Sequence, residues 1–432
     1  MNFSSLFNSK TLRTGSIGSV VIKLLGTGFT FGISILLARL LGLENYGTYV
    51  LILSTIMLLS IPLTFGLPLL LTRFIPKYEV NNDKAAIKGL LIRANQFILL
   101  TYLVIILLAL LYYFFFGKGY SEEIVYTCVW GLILLPIMGY NSIRAAALQG
   151  MRYIILGQIP DTLLRVMFLF LGILGYHFLI EPITAPMAMA IHAGSALLSY
   201  IIGFYFLKKK LLNTLRGIQP IYHTKDWLSK SFQFSLNMGI NNIKTRISTY
   251  ILAIFSGTAA VALFEVAFKG ASLVSFALTA LNTAIAPHIS KTYEEGDRKK
   301  LQRIIKKASR AIFAFSIPAS FVFIFGGWYI IDVLYGAEYE GSYWPLVILC
   351  IGQLVNAFAG SVGLLLNMTG NQKYVLKVNL INTLANIIIS ILLVQWYGVI
   401  GAAVAFTLLL LIQNFIFVWY AQKKLQINTT VL

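Results

Sequence analysis

Seven charged side chains stand inside long apolar stretches of the chain: Lys23, Asp161, Arg165, Lys244, Arg246, Glu265 and Lys269. A charge at the middle of a bilayer costs about 3 kcal/mol on insertion scales, so such residues face a helix-bundle interior or a wet cavity rather than lipid. Asp161 and Arg165, and likewise Glu265 and Lys269, are four residues apart and can neutralise each other on one helix face. Lys23, Lys244 and Arg246 have no acid within a helical turn in sequence. Five bases against two acids leave a surplus of three positive charges. A cavity with that surplus suits an anion, most simply a phosphate or pyrophosphate group, bound by Lys23, Arg165, Lys244, Arg246 and Lys269. It suits an organic cation poorly, since that ligand needs unpaired carboxylates or an aromatic box.

The apolar stretches also carry many amides. Asn237 and Asn241, and then Asn379, Asn382 and Asn386, recur at spacings that put each set on one helix face. Hydrogen bonding between helices is one account of them. Contacts to sugar hydroxyls are the other, with Asn237, Asn241, Asn382 and Asn386 as candidates. Arg39, Arg144 and Arg152 lie nearer the ends of apolar segments and are expected to reach the interface along their aliphatic stems. His177, His192, His223 and His288 are scattered and read as loop or packing residues, although His192 falls inside an apolar segment. Cys128 and Cys350 sit in apolar segments without a motif and read as small buried hydrophobes. No metal-ligand cluster or cofactor motif stands out, and no cofactor is expected.

These side chains need elements to hold them. Apolar segments long enough to cross a bilayer recur about twelve times, near residues 15–41, 46–74, 88–116, 122–148, 154–178, 184–207, 232–255, 258–288, 308–335, 342–368, 374–396 and 399–421. Each crossing must be helical, because lipid satisfies no free backbone N–H or C=O. The expected class is an all-α polytopic membrane protein. Hydrophobic residues make up 58% of the chain and charged residues 11%, which leaves no stretch for a separate soluble domain. A net charge of +19 could signal a nucleic-acid binder, but the distribution excludes it. With the N-terminus inside, 27 of the 34 Lys and Arg fall in inside segments and two, Arg39 and Lys118, in outside ones. That asymmetry predicts that both termini are cytoplasmic. The first apolar segment is too long for a secretory signal and is expected to stay as a transmembrane helix.

The chain repeats at about 215 residues: Phe74–Tyr78 and Ile289–Tyr293 both close an apolar segment, and each is followed by an acidic–basic loop and a Lys/Arg-led helix. An N-terminal six-helix lobe is expected over 1–207, a basic cytoplasmic linker over 208–231 and a C-terminal six-helix lobe over 232–432. Parallel six-helix repeats are a transporter plan, with a substrate site between halves near the midplane and rocking that exposes it to alternate sides.

Five local motifs carry a family resemblance: Ala38–Tyr49 (ARLLGLENYGTY), Ala147–Gly150 (ALQG), Leu334–Tyr339 (LYGAEY), Leu366–Lys373 (LNMTGNQK) and Tyr397–Ala405 (YGVIGAAVA). In this order, after spans one, four, nine and ten and at the opening of span twelve, they resemble the polysaccharide biosynthesis or oligosaccharide flippases. These lie within the superfamily that includes the multidrug and toxin extrusion transporters and the lipid II flippases. The resemblance implies a V-shaped, two-lobed bundle in a bacterial cytoplasmic membrane. It implies translocation of an undecaprenyl-pyrophosphate-linked oligosaccharide, such as an O-antigen or capsule repeat unit, to the periplasmic leaflet, with a polymerase and a chain-length regulator as functional neighbours. Proton or sodium coupling fits the family, and Asp161 and Glu265, the acids well inside spans, are the candidate coupling groups. A multidrug or cation antiporter predicts an acid-dominated cavity, the reverse of this one. A membrane polymerase or glycosyltransferase would want a large outside loop or an acidic catalytic motif, and neither is evident.

Overall fold

The computed structural model describes residues 12–431 apart from residue 181, and their side chains except at positions 12–17, 20, 118, 237, 241, 284 and 287. Among the described residues the regular structure is entirely helical. The main helices are α1 (Leu12–Thr64), α2 (Leu67–Val80), α3 (Lys84–Phe116), α4 (Glu122–Gly150), α5 (Ile154–Ile159), α6 (Arg165–Leu179) and α7 (Ala185–Lys210). They are followed by α8 (Thr224–Val274), α9 (Phe276–Glu294), α10 (Arg298–Tyr335), α11 (Tyr343–Ala359), α12 (Val362–Met368) and α13 (Gln372–Tyr420).

Nine stretches among the described residues are long and apolar enough to cross a membrane. Three of them are double: α1 breaks at Gly42, α8 at Gly257 and α13 at Gly398. Each break falls where the hydrophobic pattern places a loop between consecutive crossings, so the chain makes the twelve crossings expected of it. Gly42 (φ 71°, ψ 175°) and Gly257 (φ 81°, ψ 179°) occupy a backbone region that is essentially closed to residues with a Cβ. They lie 215 residues apart, the period of the sequence repeat. The same correspondence holds at two helix starts. Asp83 Oδ1 accepts a hydrogen bond from the Ala86 N–H at 2.9 Å, and Asp297 Oδ1 accepts one from the Lys300 N–H at 2.9 Å. An N-cap carboxylate satisfies an orphan donor of the first turn and favours the positive helix end.

The chain falls into two compact units. Unit 1 holds the described residues up to Leu41 together with Ile52–Asn242, and unit 2 holds Gly42–Leu51 and the described residues from Ile243. In unit 1, Gly139 of α4 sits against Leu63 and Ile98, and Gly150 sits against Leu71 and Ile75. Small residues at such crossings let helices approach where apolar burial alone supplies little drive. The basic linker is docked on this unit. Lys88 Nζ donates to the Ile218 carbonyl at 2.7 Å, the Ile221 N–H donates to the Ala85 carbonyl at 3.1 Å, and the Arg93 guanidinium lies 4.4 Å over the Tyr222 ring. Trp227, fully buried, donates its Nε1–H to the Tyr78 hydroxyl at 2.9 Å. The division between units therefore falls inside α8.

Unit 2 has a continuous apolar core of Ile289, Leu301, Ile305, Leu365, Val375 and Phe417 among others, closed by Leu425 and Ile427 of the tail. Gln302 Nε2 donates to the Asn428 carbonyl at 2.6 Å and its Oε1 accepts the Asn428 N–H at 2.8 Å, which ties the tail to α10. Within the same unit, Gly47 is pressed against α8: a Cβ there would lie 1.9 Å from the Thr258 carbonyl oxygen. Gly47→Ala is therefore expected to destabilise the protein by roughly 1–3 kcal/mol through forced backbone displacement. Gly28→Ala, with nothing within 4 Å of the added methyl, should leave stability unchanged or slightly raised. Thermal unfolding of the two variants in detergent separates these outcomes; equal melting would refute the close approach.

Candidate functional site: charged clusters inside the apolar helices

The unit 1 cluster is built on an irregular stretch. After α5 the chain widens into a single π turn, Pro160–Leu164, before α6 resumes. Proline brings no N–H to the ladder, and π turns inside helices are enriched at functional sites. Two groups serve the Pro160 carbonyl: the Arg165 N–H and the Ser199 hydroxyl of α7. Ser19 of α1 donates to Gln158 Oε1 at 2.7 Å, and a Cβ on Gly26 would meet the Thr162 carbonyl at 2.4 Å. Ser19, Lys23 and Gly26 are spaced i, i+4, i+7 and share a face. Lys23 thus leaves α1 between two contacts to the π-turn segment, with its side chain exposed.

Arg165 organises this cluster. Its Nε–H donates to Asp161 Oδ1 at 2.9 Å and its NH1 meets His192 Nε2 of α7 at 2.7 Å. His192 is 3% exposed, while the Asp161 side chain is 45% exposed, so the pair opens on one side only. His192 is thus more than a packing residue. One further cation was placed at the interface by sequence and lies elsewhere. Arg144 is 1% exposed, packed on Gly203 of α7, with its Nε–H donating to Asn141 Oδ1 at 3.0 Å and its NH2 reaching the Gly157 carbonyl at 3.4 Å. The absence of a Cβ at Gly203 creates that slot, a feature no local pattern around Arg144 reveals.

The unit 2 cluster is built on the two arms of α8, before and after Gly257. Glu265, 7% exposed, lies between two cations: its Oε2 is 3.6 Å from Arg246 NH1 and its Oε1 is 3.6 Å from Lys269 Nζ. Arg246 lacks an acid nearby in sequence but gains one through the fold, because the break at Gly257 folds the second arm back along the first. Lys244 Nζ donates to Gln413 Oε1 of α13, a neutral acceptor. The same oxygen accepts the Asn382 Nδ2–H at 2.9 Å. Asn386, 3% exposed, accepts the Ser390 hydroxyl at 2.8 Å. Asn356 bridges Asn414 and Gln353 at 3.0 and 3.2 Å. The side chains of Asn237 and Asn241, the other sugar-contact candidates, lie outside the described residues.

In each unit the bases outnumber the acids. Unit 2 brings Arg246 and Lys269 to one carboxylate, Glu265, with Lys244 on the neutral Gln413, and unit 1 pairs Arg165 with Asp161, with Arg144 on Asn141 and Gly157. Charges opposed at 3.6 Å, beyond hydrogen-bond contact, hold less tightly than a bidentate pair. A guanidinium so held can still turn its planar fork to a phosphate. Among the described residues no group of three or more His, Cys, Asp or Glu could hold a metal.

Removing the shared carboxylate leaves two half-buried cations facing each other. Glu265→Gln is expected to destabilise the protein by roughly 1–3 kcal/mol, because both cations lose the carboxylate they share. Millimolar pyrophosphate should restore part of the loss. Thermal unfolding with and without pyrophosphate measures both, and a variant as stable as wild type would refute the pairing.

The sequence from residue 12 to 293 matches the family described as polysaccharide biosynthesis protein, and residues 235–392 match the MatE family. An uncharacterized membrane protein of Methanocaldococcus jannaschii is 22% identical over 399 residues, covering 88% of this chain and 78% of its own length. A probable low-salt glycan biosynthesis flippase of Haloferax volcanii, Agl15, is 21% identical over 155 residues, 36% of this chain and 33% of that protein. An inward-facing multidrug resistance MATE family transporter of the MOP superfamily superposes with a TM-score of 0.79 at 15% identity, covering 94% of this chain and 98% of that one. The lipid II flippase MurJ in an inward closed conformation gives 0.71 at 18% identity, over 94% and 87%. Twelve helical crossings, the match over residues 12–293 and these superpositions together make the chain a multi-pass member of the polysaccharide biosynthesis protein family, on the fold shared by MATE transporters and MurJ.

Proposed function

We propose that the protein is a flippase. It carries undecaprenyl-pyrophosphate-linked oligosaccharide repeat units by alternating access from the cytoplasmic to the outer leaflet of a bacterial cytoplasmic membrane, for surface polysaccharide synthesis. The observation that carries this reading is the excess of cations over acids in the unit 2 cluster: Arg246 and Lys269 share Glu265, and Lys244 is held by the neutral Gln413. A pyrophosphate brings the negative charge such a cluster lacks, and charge-assisted contacts to phosphate are the strong class of hydrogen bond. Lys244 is held by a neutral amide oxygen rather than by a carboxylate. Membership of the polysaccharide biosynthesis protein family and the likeness to glycan and lipid II flippases support the same substrate class. The isoprenoid tail stays in lipid while the polar head crosses. Both termini lie in the cytoplasm, where the basic loops face anionic headgroups. Proton or sodium coupling acts through the carboxylates Asp161 and Glu265, and a polymerase and a chain-length regulator use the product.

A multidrug antiporter is the second reading, favoured by the MatE match over residues 235–392. The sign of the charge in both clusters disfavours it. The test is a strain lacking the gene, with lipid-linked oligosaccharides quantified by mass spectrometry and their leaflet assigned by a periplasmic modifying enzyme. We expect the complete repeat unit to build up on the cytoplasmic side. Wild type should reverse this, and Lys244→Ala or Arg246→Ala should flip roughly ten- to a hundredfold more slowly, the loss of one charge-assisted contact. Intact surface glycan without build-up would overturn the flippase reading.

A further inference from the structure

We infer that Gln413 sets the anion selectivity of the unit 2 cluster: it gives Lys244 a neutral oxygen to hold and, with Asn382, completes a set of N–H donors for one phosphoryl group. The inference deepens the flippase reading and rests on it, since it supposes that Lys244 meets a phosphate of the ligand.

An ammonium has three donors and no acceptor. The atom Lys244 meets on Gln413 is therefore the carbonyl oxygen, and the lysine fixes which way that amide faces. A second group on the same oxygen must also be a donor, and Asn382 supplies its Nδ2–H at 2.9 Å. One oxygen thus serves α8 and the first arm of α13, while Gln413 itself belongs to the second arm, beyond Gly398. The groups left for a ligand are mostly donors: two N–H on the Lys244 ammonium, two on Gln413 Nε2 and one on Asn382 Nδ2, against one acceptor, Asn382 Oδ1. Such a set fits phosphate oxygens, which only accept.

The charge of Lys244 is not cancelled on the spot. Glu265 is engaged by Arg246 and Lys269 at 3.6 Å each, and among the described residues no carboxylate pairs with Lys244. The placement on α13 suits a polar ligand as well. Leu408, Ile412, Phe415 and Trp419 are large, apolar and exposed, and at about 100° per residue they share one side of the helix. Gln413 projects from the far side, half-buried, against Lys244 and the buried Asn382. Lipid takes the first side and leaves the second to water or ligand.

Glutamine and glutamate share a shape, so charge separates them. A glutamate at this position would give Lys244 a carboxylate of its own and put an oxygen where Gln413 offers N–H. Phosphate would then meet repulsion in place of donors. A neutral acceptor holds the ammonium without neutralising it, and Gln413 is in this sense a positioning residue that acts through Lys244.

The test compares wild type, Gln413→Glu and Gln413→Met, each as the full-length protein purified in detergent. Calorimetric titration with sodium pyrophosphate at neutral pH gives affinity, and thermal unfolding without ligand gives stability. Gln413→Glu should bind pyrophosphate roughly ten- to a hundredfold more weakly than wild type, the worth of a charge-assisted contact. Gln413→Met, uncharged and of similar length, should lose less than about tenfold, the worth of a neutral hydrogen bond. Stability should run the other way, with Gln413→Glu melting above Gln413→Met because the carboxylate pairs with Lys244. A residue that merely packs would give the same order in both measurements. Wild-type affinity in Gln413→Glu, equal losses in the two variants, or a Gln413→Glu protein less stable than Gln413→Met overturns the role of Gln413 and leaves the anion site standing. Absence of pyrophosphate binding to wild type overturns the cationic-site reading and this inference together.

Discussion

Everything in this protein depends on one constraint: inside lipid, no backbone polar group and no charge can be left without a partner. The backbone meets it with uninterrupted helical ladders, so the architecture is a set of long helices and little else. Several departures from the ladder among the described residues have an identifiable cause. Gly42, Gly257 and Gly398 turn the chain between crossings with a conformation that a side chain would strain. The π turn at Pro160–Leu164 widens one helix where a proline already removes a donor, and Ser199 bonds the carbonyl there.

The side chains obey the same constraint by sharing partners. Glu265 serves Arg246 and Lys269, Gln413 serves Lys244 and Asn382, and Arg165 serves Asp161 and His192. Sharing leaves more cations than carboxylates in each cluster. A one-to-one set of salt bridges would have left no such surplus of positive charge. Arg144 follows a different rule: buried on Gly203 and bonded to neutral oxygens, it has the surroundings of a structural cation in the packing of α4 on α7.

The irregular and charged features coincide. The π turn carries Asp161 and leads into Arg165, and the two arms around Gly257 carry the cations of unit 2 and their one carboxylate.

The class, the number of crossings and the repeat are legible in the order of residues, because they follow from the spacing of apolar residues and from lipid's inability to hydrogen-bond. The same order also marks seven charged residues whose place in apolar segments is costly. Helix breaks were legible for the same reason: Gly42 and Gly257 stand at the joints of the hydrophobic pattern, 215 residues apart. Pairings between helices were not legible. Arg246 appears unpaired until the turn at Gly257 brings Glu265 to it, and Arg144 appears able to reach the interface until Gly203, 59 positions away, provides its slot. His192 looks like packing until α7 lies beside the π turn. These pairings come from the packing of helices, because partner choice inside a membrane is settled by which helix faces meet, and sequence spacing fixes faces along one helix but not the neighbour across from it.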